Sequence, residues 1–111
     1  QIISNIISKA EIVKGSIAIS TYNEDELNTT LVIAKAADEL LTISGISASF
    51  VLGKTDDTIY ISGRSIGDIL ILEKLGGGGH ITLAGAQLPN TTIDDALLKL
   101  KNAIDEYMIE N

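Results

Sequence analysis

Apolar residues recur along this chain with two different periods, and the changes of period mark out its elements. Ala10-Glu11-Ile12-Val13 and Ser16-Ile17-Ala18-Ile19-Ser20 are short runs rich in β-branched residues on either side of Lys14-Gly15, a pattern that predicts a hairpin. Ile17 and Ile19 alternate with Ala18 and Ser20, so one face of that strand is expected to be more buried than the other. From Thr29 to Ile43 the period becomes helical, with Ile33, Ala36, Ala37, Leu40 and Leu41 at i, i+3, i+4, i+7 and i+8. Glu24, Asp25 and Glu26 precede this helix, where acidic groups suit its positive end, and Ser44-Gly45 closes it.

Ile46 to Leu52 and Thr58 to Ser62 read as a second hairpin, joined by a turn of about five residues from Gly53 to Asp57. Ile66 to Leu75 predicts a short apolar helix that runs into glycines, and Ile81 to Gln87 predicts a strand. Pro89-Asn90 marks a turn. Thr92-Ile93-Asp94-Asp95 then has the form of a capping box, with Asp in place of the longer Glu. The last helix, Ile93 to Met108, carries Ile93, Ala96, Leu97, Leu100, Ile104 and Met108 on one face. Gln1 to Ser8 is apolar and fits either the tail of a preceding helix or a linker. The expected fold is α/β, a small mixed sheet of about five strands (two hairpins plus one) packed against helices.

Size and charge narrow the function. The chain has 111 residues, enough for one domain with a real core. It is 45% hydrophobic but only 4% aromatic, so the core is aliphatic. Its net charge of −7 repels polynucleotide backbones at long range, while leaving room for a small nucleotide at a local positive spot. The absence of cysteine excludes disulfides, thiolate metal sites and cysteine nucleophiles. No apolar run is long enough to span a bilayer. The chain opens at Gln1 without a leader, and is expected to be a piece of something longer.

The stretch from Ser62 to Ala86 concentrates the candidate chemistry. It holds Arg64-Ser65, four consecutive glycines (Gly76, Gly77, Gly78 and Gly79) and the single histidine, His80. Residues without a Cβ let a ligand approach the backbone, and successive N–H groups can form an anion-binding concavity. The C-terminal end of the helix before them would repel a phosphate, so the attraction must come chiefly from the Arg64 guanidinium, with His80 as a further donor. The same residues also fit a plainer arrangement. A glycine run can be a helix C-cap opening into a connection, a lone His can be a structural hydrogen-bonder, and Arg64 can pair with one of fifteen acidic side chains.

Known motifs exclude several alternatives. No Gly-Lys-[Ser/Thr] follows the glycines, so this is not a Walker loop, and Ile81 or Thr82 fills the place of the third Rossmann glycine. One His without a G-x-S-x-G context gives no hydrolase triad. The acidic residues scatter over helix faces instead of clustering as metal ligands. The chain reads as a binding half without catalytic machinery of its own.

Arg64-Ser65-x-Gly67-Asp68-Ile69, Leu75-Gly76-Gly77-Gly78-Gly79-His80 and Ala84-Gly85, in that order, resemble the DHH-associated substrate-binding domain of the DHH phosphoesterase superfamily. The likeness runs from about Ala10 to Met108. The strings Ala34 to Leu41 and Ser49 to Gly53 look like the subgroup of membrane-anchored cyclic-di-AMP phosphodiesterases. The resemblance implies that residues 1–9 end a linker from a preceding DHH catalytic domain and that 10–111 form the substrate-binding domain. That DHH domain is expected to hold two Mn²⁺ ions and activate water, with no cofactor in this chain itself. Carried over by position, Arg64 and Ser65 face a substrate phosphate, Gly76 to Gly79 let the backbone approach it, and His80 hydrogen-bonds phosphate or ribose. The implied partners are a nucleotide or cyclic dinucleotide, the DHH domain and a second copy of the chain. The domain is expected in the cytoplasm, without direct membrane contact, in a parent protein anchored in the bacterial membrane. Leu83 and the short segment 68–73 depart from the subgroup's pattern. The competing expectations are a regulatory or protein-interaction module with the same fold, and an RNA-binding appendage like that of alanyl-tRNA synthetases, which the negative charge disfavours.

Overall fold

A computed structural model describes residues 2–23, 28–65, 78–79 and 83–110. Its elements, in chain order, are α1 (Ile2–Ser8), β1 (Glu11–Val13), β2 (Ile17–Tyr22), α2 (Thr29–Leu41), β3 (Ala48–Thr55), β4 (Thr58–Ser65), β5 (Gly78–Gly79), β6 (Leu83–Pro89) and α3 (Ile93–Glu110). The strands form one six-stranded mixed sheet in the order β1-β2-β3-β4-β6-β5. Among the described strands only β2 and β3 run parallel, and α2 is the crossover between them. The expected α/β architecture is present, with the two-residue β5 as a sixth strand.

The first hairpin forms as its residues dictate. Lys14 and Gly15 both take positive φ (52° and 81°), and Ser16 N–H closes the turn on the Val13 carbonyl at 3.3 Å. Positive φ at both central residues matches the twist of the flanking strands. At the other end of the chain, Thr92 Oγ1 accepts from Asp95 N–H at 3.1 Å and caps α3, as the capping-box pattern predicts.

Because side chains alternate along each strand, the sheet has two distinct faces. Ile17, Ile19, Phe50, Leu52, Ile59, Ile61, Ala86 and Leu88 meet Ala96, Leu100, Ala103 and Ile104 of α3. On the other face, Ala18, Tyr22 and Val51 meet Ile33, Ala36, Ala37 and Leu40 of α2, together with Ile6 of α1. The apolar Gln1 to Ser8 segment is therefore helical from Ile2 and docked on the sheet, with Ser20 Oγ donating to the Ile6 carbonyl at 2.6 Å.

The second hairpin differs from expectation. Its turn is two residues, Asp56-Asp57, with Asp56 at φ 54°, and Gly53, Lys54 and Thr55 belong to β3. Gly53 suggested a turn but serves a packing role. A Cβ there would lie 2.6 Å from Thr29 Cγ2 and 2.8 Å from Ile33 Cγ2, so the missing side chain is what lets α2 cross the strand. The longer hairpin extends β4 to Ser65, which places Arg64 inside the strand and not just past its end.

Pro89 ends β6 on a stretch that β5 does not cover, since β5 pairs only with Ala84 and Gly85. A residue without an N–H fits such an edge. The helix predicted over 66–75, the shortened segment 68–73 and the acidic residues 24–26 lie outside the described residues.

Candidate functional site

β4 carries Arg64 and Ser65, the described side chains of the candidate site. Tyr60, Ser62 and Arg64 alternate onto the α2 face, where Tyr60 packs against the α2 cluster. Arg64 stands opposite Ser49 of β3 on one side and Leu83 of β6 on the other. Its side chain is only 13% exposed, and Nε donates to Asp38 Oδ1 of α2 at 2.6 Å. Nη1 donates to the Gly63 carbonyl at 2.9 Å, so the guanidinium is fixed at two of its nitrogens.

Asp38 reaches Arg64 because α2 is held close to the sheet. Ser49, fully buried and the register partner of Arg64, donates from Oγ to the Ala37 carbonyl at 2.7 Å. Ala36 and Ala37 are completely buried beneath the helix, and Gly53 removes the remaining obstacle further along β3. Asp38, the next residue after Ala37, emerges at the rim of this contact.

The glycine run meets the sheet at the same end. Gly79 pairs with Ala84, which pairs with Gly63, and Gly78 pairs with Gly85, which pairs with Ser62. Two described members of the run therefore lie two strand spacings, about 10 Å, from the residues preceding Arg64. Gly85 and Gly78 present no side chain on the α2 face beside Ser62. Ser65 is separated from Arg64 by the strand's alternation. It is buried on the α3 face opposite Ala48. Gly76, Gly77 and His80 lie outside the described residues, as does the side chain of Leu83.

Sequence reasoning did not single out Asp38 or Ser49. The available signal was indirect, in the pair of small residues Ala36-Ala37 on the buried stripe of α2, which permits a close helix approach. A carboxylate beside that stripe is then within reach of the sheet.

Other features of the molecule lie elsewhere. A cavity of about 270 Å³ at the β1 edge is lined by Val13, Lys14, Lys101, Ile104 and Asp105, with the whole sheet between it and β5. Its lysines are already paired, Lys14 with Asp105 at 3.0 Å and Lys101 with Glu11 at 3.2 Å. Among the described residues no three His, Cys, Asp or Glu side chains cluster as metal ligands. No described helix is long and apolar enough to cross a membrane.

Residues 8–110 match the family described as the DHHA1 domain. The chain belongs to that family. This DHHA1 domain is 45% identical over 108 residues to a cyclic-di-AMP phosphodiesterase of Geobacillus thermodenitrificans, covering 94% of the chain and 16% of that protein. It is 44% identical over 108 residues to one from Listeria monocytogenes, with the same coverage of each, and 42% identical over 110 residues to one from Bacillus subtilis, covering 94% and 17%. The chain thus spans about a sixth of the length of these relatives. Among solved structures, an exopolyphosphatase-related protein from Bacteroides fragilis superposes with a TM-score of 0.81 at 22% identity, covering 96% of this chain and 34% of that one. A likeness at that identity speaks for the fold alone.

Proposed function

We propose that this DHHA1 domain holds the substrate of a DHH-family phosphodiesterase, cyclic di-AMP or a short oligonucleotide, over the metal site of a preceding DHH domain. The observation that carries the reading is the placement of Arg64 and of Gly78 and Gly79 at the same end of the sheet, two strand spacings apart. The phosphodiesterase names of the 42–45% identical relatives support it.

Arg64 contacts a substrate phosphate through the guanidinium donors that Asp38 and Gly63 do not use. The Gly76 to Gly79 backbone approaches the same ligand, and His80 hydrogen-bonds phosphate or ribose. Ser65, expected beside Arg64 at the phosphate, is buried on the opposite face of the sheet and takes no part in this contact. Two Mn²⁺ ions held by the preceding DHH domain would supply the activated water. The domain works in the cytoplasm within a membrane-anchored parent.

Arg64→Ala in the full-length protein tests this reading. Its kcat/KM for cyclic di-AMP is expected to fall roughly 10- to 100-fold, as for a lost hydrogen bond to a charged group. An unchanged kcat/KM would remove Arg64 from the site.

A further inference from the structure

We infer that Asp38 is a positioning residue for Arg64, holding the guanidinium in the orientation that meets a substrate phosphate. The inference rests on the phosphate-binding role proposed for Arg64 above.

Arginine presents five N–H donors in a planar fork, so its usefulness to a phosphate depends on which edge faces the ligand. Here Asp38 Oδ1 takes Nε at 2.6 Å and the Gly63 carbonyl takes Nη1 at 2.9 Å. Two contacts to different nitrogens fix both the position and the plane of the group. Nη2 and the second Nη1 hydrogen are then the donors left for the oxygens of a phosphate.

Asp38 itself is located by buried structure. Ser49 Oγ binds the carbonyl of the preceding residue, Ala37, and Ser49 is the strand neighbour of Arg64. Arg64, Ser49, Ala37 and Asp38 therefore form a closed circuit through β4, β3 and α2. Arg64 is 13% exposed and Asp38 60%, so the pair also offsets burial of the guanidinium, a contribution that thermal melts of the Asp38 variants separate from orientation. A carboxylate beside an anion-binding arginine also weakens its pull on phosphate. Orientation is what the arrangement gains in exchange.

A double-mutant cycle in the full-length protein with cyclic di-AMP decides the matter, with thermal melts confirming that each variant is folded. Asp38→Ala is expected to lower kcat/KM roughly 10-fold or more, the scale of a displaced binding group. Asp38→Asn keeps an acceptor oxygen for Nε and should restore most of that loss. In an Arg64→Ala background, Asp38→Ala should add nothing. If Arg64→Ala alone is neutral, the phosphate-binding reading fails and takes this inference with it. If Arg64→Ala is impaired while Asp38→Ala matches wild type, or is equally harmful without Arg64, the positioning role alone is overturned. A lower KM in both Asp38 variants would also overturn it, making the carboxylate a competitor of the substrate instead of a guide for the arginine.

Discussion

Toward α3 the sheet presents Ile17, Ile19, Phe50, Leu52, Ile59 and Ile61, whereas toward α2 it presents Ala18, Ser20, Ser49, Val51 and Gly53. The first face is large and apolar, and holds α3 by the area it removes from water. Such contacts are non-directional, so they secure the helix without specifying the position of any one side chain at its rim. The second face mixes small and hydroxyl-bearing residues with Tyr22, Val51 and Tyr60. Directional bonds from Ser49 to α2 and from Ser20 to α1 tie both helices to it. The candidate site lies on the second face, where a helix residue must meet a strand residue at hydrogen-bond distance.

Phe50→Ala should break the α3 face most severely. Phe50 is fully buried at the centre of the aliphatic cluster, and its loss should cost about 3–5 kcal/mol in chemical denaturation. Gly53→Ala attacks the other face more gently but more informatively. The new methyl would press on Thr29 and Ile33, whose β-branched side chains cannot easily move aside, at about 1–3 kcal/mol. If α2 positions Arg64 through Asp38, Gly53→Ala should also reduce kcat/KM in the full-length protein although it touches no ligand. A variant that is destabilised yet fully active would separate helix placement from the site. Lys101→Ala gives the smallest effect. Its pair with Glu11 sits at the exposed rim of the α3 face, and its loss should change stability by no more than ~0.5–1 kcal/mol with activity unaltered.

The α3 face was legible from the chain because aliphatic residues at strand and helix spacing announce a core without further information. Ile93, Ala96, Leu97, Leu100 and Ile104 were all placed on the face that packs. The first hairpin was equally legible, since Lys14-Gly15 carries its own turn chemistry. Gly53 misled for a physical reason. A glycine that permits a turn and a glycine that admits a neighbouring helix look alike until the helix is in place. The shortened turn then drew Arg64 from beyond the strand into it.

The class of fold, the strands and helices with strong periodicity, and the family likeness carried by Arg64-Ser65 and the glycine run are written in the chain itself. Those properties are local, because hydrophobic period, turn chemistry and motif spacing act between residues near in sequence. That Arg64 and Ser65 face opposite sides of the sheet, that Gly78 and Gly79 stand two strands away, and that Asp38 takes Nε of Arg64 follows from the assembled sheet. Those relations join residues 38, 49, 64 and 79 across four elements. Strand register and the closeness of α2 set them, and both come from the packing of the whole sheet.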